Sequence, residues 1–227
     1  MARKLKSDKL LFTATLLLVC ISIVMVYSAS AAIATERWQE PYRFLFKQAA
    51  WVLIGLSLMP IVMRIDYRSY RQPVVIWTAL GIVTIALIAV LFSKEVNGAR
   101  RWMLLGPLGI QPSELAKIAI ILFTAALLER RMERINELSY ALLPIGLATG
   151  GIVGLVLIEP DLGTAVSILV IASAMVFAAG VSYRYVVGLI IAAIPALWVV
   201  IMTSPYRVQR MLAFLDPWSD PQGGGYQ

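Results

Sequence analysis

Five short stretches hold the residues whose types and spacing could do chemistry. Arg100-Arg101-Trp102 sets two adjacent cations beside a ring, Glu114 and Lys117 stand three apart, and Glu159-Pro160-Asp161 puts two carboxylates in one turn. Arg207 and Arg210 are again three apart, and Asp216 and Asp220 each precede a proline. The chain has no histidine and one cysteine, Cys20. That excludes a Ser-His-Asp triad, a His- or Cys-based zinc site, a proximal-histidine haem and an intrachain disulfide. Carboxylates, Lys, Arg, Tyr or a bound ion must carry any reaction. A carboxylate can act as general base toward a sugar hydroxyl, and cations can stabilise a departing pyrophosphate.

Each stretch also has a plainer reading. Arg100 and Arg101 with Trp102 either anchor the chain at a membrane interface or pair with phosphate beside an apolar, sugar-stacking surface. Pro112 suits the first position of a helix, where Glu114 complements the dipole. Lys117 falls on the same helical face, and an ionisable pair at membrane depth must be mutually paired or face a wet cavity. Glu114 and Lys117 are therefore a structural ion pair or the lining of a substrate cavity; either way the helix belongs inside a bundle. Asp161 fits a helix cap as well as a site. The segment holding Asp216 and Asp220 reads by itself as an Asp/Pro/Gly loop.

The elements that must position these residues follow from hydropathy. Of the 227 residues 60% are hydrophobic and 15% charged, against roughly 45–50% and about 25% in soluble domains. A water-soluble globule is ruled out. Five runs free of charge, with one more that admits Lys47 and one that admits Glu114 and Lys117, predict an all-α, polytopic membrane helix bundle of seven transmembrane helices, near 10–34, 44–63, 73–92, 114–129, 140–158, 163–182 and 186–204, with an outer loop at 205–227. The whole of 1–227 reads as a single membrane domain. The first run resembles a signal peptide in its basic start, but its length and the spans that follow favour a retained anchor.

Lys and Arg are more numerous on the side holding Arg3, Lys4, Lys6, Lys9, Arg64, Arg68, Arg71, Arg130, Arg131, Arg134 and Arg184, which puts the N-terminus in the cytoplasm. A net charge of +7 would suggest nucleic acid in a soluble protein. Here the basic residues lie between apolar runs, so anionic lipid replaces nucleic acid as the expected partner. The positive charge left outside calls for an anionic ligand on that face. Gly146, Gly150 and Gly154 recur every fourth residue, which predicts close helix packing.

NGARRW at 97–102, QPSELAK at 111–117, EPDLGTA at 159–165 and FLDPWSDPQGGGYQ at 214–227 together resemble the motifs of the SEDS family. These are multispan peptidoglycan glycosyltransferases that include FtsW of cell division and RodA of elongation. NGARRW and the Asp-Pro-Trp form are nearer the FtsW branch. The resemblance covers the chain but only the front of the family pattern, so the sequence looks like a fragment of a longer SEDS domain.

The resemblance implies polymerisation of lipid II into glycan strands at the outer face of the bacterial inner membrane, at the division septum, with polyprenyl pyrophosphate released. It implies a class B penicillin-binding protein and other division proteins as partners. Asp220 falls on the family's catalytic aspartate. Around it, Trp102, Glu114 and Lys117 would shape the cavity and Arg100, Arg101, Arg207 and Arg210 would meet phosphate, with Asp161 and Asp216 as secondary candidates. No organic cofactor is implied; a divalent cation could share the phosphate, although the sequence offers no cage for one. A lipid II flippase and a non-catalytic division scaffold are the alternatives.

Overall fold

The computed structural model describes residues 8–95, 99–105 and 108–215, with side chains left aside at 37, 104, 105, 108, 206, 210 and 213–215. Two compact units divide the chain, Met1–Pro112 and Ser113–Gln227.

In the first unit, α1 (Lys9–Trp38) begins where the Asp8 carboxylate accepts from the backbone N–H groups of Leu10 and Leu11. It ends where Gln39 turns left-handed at φ 57° and donates back to the Thr35 carbonyl. Helix α2 (Arg43–Arg64) returns antiparallel and packs on α1. Tyr27 stacks on Tyr42 at 5.6 Å, and Gln48 Nε2 donates to Ser22 Oγ at 3.3 Å. The hydrophobic faces of both helices remain largely uncovered by protein, which is costly in water and costless against hydrocarbon.

A 3₁₀ turn (Tyr67–Arg71) leads to α3 (Pro73–Val90), started by a proline that needs no helical donor. Its buried residues Ile76, Val83, Leu87 and Val90 form one stripe. Two three-residue strands follow, β1 (Met103–Leu105) and β2 (Leu108–Ile110), paired antiparallel with Met103 opposite Ile110. They add a small hairpin to the expected all-α architecture. No alternation long enough to signal a strand marks these segments; Gly106-Pro107 between them is a dipeptide that favours turns.

The second unit opens with α4 (Pro112–Arg131). Ser113, Ala116, Ala119, Ile120, Phe123 and Thr124 are buried along one side of it, as expected for a helix inside a bundle. A π-helical turn (Leu138–Leu142) runs into α5 (Leu143–Ile158), followed by α6 (Leu162–Ala178), α7 (Tyr183–Met202) and α8 (Pro205–Leu215). Helices α5 and α6 form the main pair. Their facing residues, Thr149, Ile152 and Val156 on one and Ala165, Ile168 and Ala172 on the other, are buried.

Among the described residues, five helices are long and apolar enough to cross a membrane, and α6 is a shorter apolar helix. Helix α4, expected as a further span, has 20 residues and extends about 30 Å, but with its charged ends it is not one of these apolar helices. The glycine stripe does not pack as expected. A Cβ built on Gly146, Gly150 or Gly154 meets nothing within 4 Å. That face of α5 instead borders an open groove.

Candidate active site at the outer membrane face

The up-and-down order of the helices brings the start of α4, the end of α5, the start of α6 and the end of α7 to one end of the second unit, the end expected to face outward. The α5–α6 turn holds Glu159 and Asp161. The fold buries both carboxylates, Glu159 completely and Asp161 to 7% exposure. Asp161 is the N-cap of α6. Its Oδ1 accepts from the Thr164 backbone N–H at 3.2 Å and its Oδ2 from the Thr164 hydroxyl at 2.8 Å, satisfying one of the donors a helix start leaves free. Asp161→Ala should therefore lower folding stability by about 1 kcal/mol while Asp161→Asn largely preserves it; chemical denaturation in detergent micelles measures the difference.

Glu159 is different in kind. Neither carboxylate oxygen has a hydrogen-bond partner. Burial, and then the neighbouring Asp161 carboxylate, push its pKa up to about 8, so the side chain is largely a neutral acid at pH 7. Buried polar atoms without partners are rare in folded proteins and mark places where something else is bound or transferred. Ser113 Oγ, at the start of α4, and Arg207 Nε, on α8, are also buried without a partner in this unit's outer end. Nothing in their local sequence marks Glu159 or Ser113 as unsatisfied, because that depends on what packs over them.

Arg207 was expected to meet phosphate. Its Nη1 donates to the Val200 carbonyl at 2.9 Å and its Nη2 to the Leu157 carbonyl at 3.3 Å. Both acceptors belong to the last turns of helices, where carbonyls lack intrahelical donors. Arg207 therefore ties the ends of α5 and α7 together. It stands on α8, a helix where a loop was expected; Pro205 begins it and its polar and apolar residues separate onto two faces, the form of a helix lying at an interface.

Glu114 and Lys117 pair at 2.8 Å within the first turns of α4, with their side chains 54% and 27% exposed. This meets the expected ion pair. In the first unit, Arg100 reaches the Leu91 carbonyl at the end of α3 through a long 3.5 Å contact. Arg101 Nε is buried without a partner, and the half-buried Trp102 leads into β1. Asp216 and Asp220 lie outside the described residues, as does the side chain of Arg210. Among the described residues no group of three or more Asp, Glu, His or Cys side chains comes together to hold a metal ion.

These features define a multi-pass helical membrane protein whose second unit gathers charged and unsatisfied polar groups toward one end. The sequence pattern of the FtsW/RodA/SpoVE family, described as "Cell cycle protein", matches residues 8–227, and the chain belongs to that family. It is 39% identical over 222 residues to the probable peptidoglycan glycosyltransferase FtsW of Legionella pneumophila, covering 97% of this chain and 56% of that protein. To the protein of the same description from a Geobacter species it is 34% identical over 225 residues, covering 97% and 60%. The chain thus spans less than two thirds of the length of these relatives.

Among solved structures, a chain described under "Structural coordination of polymerization and crosslinking by a peptidoglycan synthase complex" superposes with a TM-score of 0.67 at 32% identity, covering 92% of this chain and 61% of that one. The Thermus thermophilus rod shape determining protein RodA gives a TM-score of 0.57 at 31% identity, covering 78% and 57%.

Proposed function

We propose that this protein polymerises lipid II into glycan strands at the outer face of the bacterial inner membrane, in cell division, as part of a single SEDS membrane domain. The observation that carries this reading is the family match across residues 8–227. The FtsW description of its relatives supports glycosyl transfer and the division role. The unsatisfied polar atoms at the outer end of the second unit support the placement of a polar ligand there rather than at the inner face.

In the reaction, Asp220 takes the proton from the acceptor sugar hydroxyl as that oxygen attacks the anomeric carbon of the donor. The bond to polyprenyl pyrophosphate breaks and the pyrophosphate leaves with the electron pair. Arg100, Arg101 and Arg210 offset the charge growing on the leaving group, and Trp102, Glu114 and Lys117 line the cavity. Arg207, held on two helix-end carbonyls, positions the outer ends of α5 and α7. Asp161 and Asp216 are the secondary carboxylates, and a divalent cation is compatible with the phosphate-bearing substrate. A class B penicillin-binding protein is the partner proposed for crosslinking. The solved neighbour described as a synthase complex supports it.

Reconstitution into vesicles with lipid II and the partner tests the reading. The expected result is glycan strands that grow while the lipid carrier is released. Lipid II crossing the bilayer without chain growth would instead identify a flippase, and neither outcome in an otherwise assembled complex would identify a scaffold.

A further inference from the structure

At the opposite, cytoplasmic end of the second unit, helices α5, α6 and α7 enclose a groove of about 350 Å³. Its wall is almost wholly apolar. Leu138, Leu142, Gly146 and Gly150 of the π-turn and α5 face Ala172 of α6 and Tyr185 of α7 across it. The two glycines leave bare backbone on one side, and a Cβ there would meet nothing within 4 Å. The open, almost wholly apolar wall suits a flexible hydrocarbon chain.

Cations lie close by. Arg131, at the end of α4, and Arg134, just beyond it, both lie 4.6 Å from the ring of Tyr140, which stands in the chain between the groove residues Leu138 and Leu142. Arg131 also donates to the Tyr140 carbonyl. Arg134 also holds the Glu137 carboxylate in a two-pronged pair. Arg184, exposed, precedes the groove residue Tyr185 in the chain. The rim itself is fixed, because Asn136 accepts from the Ser182 backbone N–H at 2.8 Å through its side chain and from the Tyr185 hydroxyl at 3.0 Å through its carbonyl. Net positive charge at the inner interface above an apolar slot is the arrangement that recognises a negatively charged lipid headgroup.

We propose that this groove is a binding site for an anionic phospholipid of the inner leaflet, with one acyl chain along Gly146 and Gly150 and the phosphate between Arg131 and Arg184. The site is independent of the outer chemistry.

Native mass spectrometry of the full chain, released from detergent after equilibration with equal amounts of phosphatidylglycerol and phosphatidylcholine, tests it. The anionic lipid should be retained about tenfold over the zwitterionic one. Arg131→Gln with Arg184→Gln should bring that ratio to about one while lipid of either kind is still held. Gly146→Leu with Gly150→Leu should fill the slot and remove both. Equal retention by the unsubstituted chain overturns the proposal, as does an undiminished preference in the arginine double variant. If the leucine variant loses helicity by circular dichroism, the arginine variant decides alone, because its changes lie at the exposed rim.

Discussion

Asp220→Asn should abolish glycan polymerisation from lipid II, by a factor on the order of 10² to 10⁴, in the chain extended to its family's full length and assembled with its transpeptidase partner. The amide has nearly the shape of the carboxylate and keeps hydrogen-bonding capacity, but it cannot accept the hydroxyl proton. These 227 residues hold no histidine to take over as base. Expression and partner association should be unchanged, which separates a chemical defect from a folding one. Asp216→Asn should be milder, since the resemblance aligns the catalytic aspartate with the second Asp-Pro of the motif. Polymerisation retained in the Asp220→Asn chain would remove Asp220 from the role of base. An equal loss in both variants would instead point to the loop as a structural unit.

The second large effect is on stability, at Glu159. Folding raises this carboxyl from an ordinary value of 4.5 to about 8, so between those values the folded chain holds a proton that the unfolded chain has released. The contribution is therefore complete below about pH 4.5 and is lost as pH rises through 8. It amounts to a few kcal/mol. Glu159→Gln keeps the neutral form at every pH and should erase that loss. Denaturation midpoints of the two chains should coincide more closely near pH 5 and separate progressively toward pH 8.5, with the glutamine chain the more stable. Taking the difference between the chains cancels the groups common to both. Parallel curves over that range would show that Glu159 titrates as an ordinary surface carboxyl. Asp161→Asn removes the nearby negative charge and should leave part of the effect, since burial is the larger cause.

Much of the molecule is legible along the chain because a bilayer imposes a length and a composition on whatever crosses it. The helices found at Lys9–Trp38, Pro73–Val90 and Tyr183–Met202 lie where charge-free runs predict them, and Arg43–Arg64 where a shorter run is extended past Lys47. The cap at Asp161 is legible for a local reason, as an Asp standing three residues before Thr164, whose N–H and hydroxyl donate to it. The ion pair of Glu114 with Lys117 follows from helical spacing. The hairpin at Met103–Ile110 escapes because three-residue strands leave no period to read. Helix α8 escapes because Asp-Pro and Gly-Gly-Gly farther along the same segment suggest loop throughout.

The residues by themselves determined the membrane setting, the family and the kind of chemistry open to a chain lacking histidine. All of these depend on composition and on short ordered motifs. Only the tertiary structure decided that Arg207 clasps helix ends, that Gly146 and Gly150 border an open slot, and that Glu159 is buried without a partner. Each of those is a relation between helices distant in sequence. The cost or benefit of a polar group within a bilayer depends on which neighbours fold over it, which no local pattern encodes.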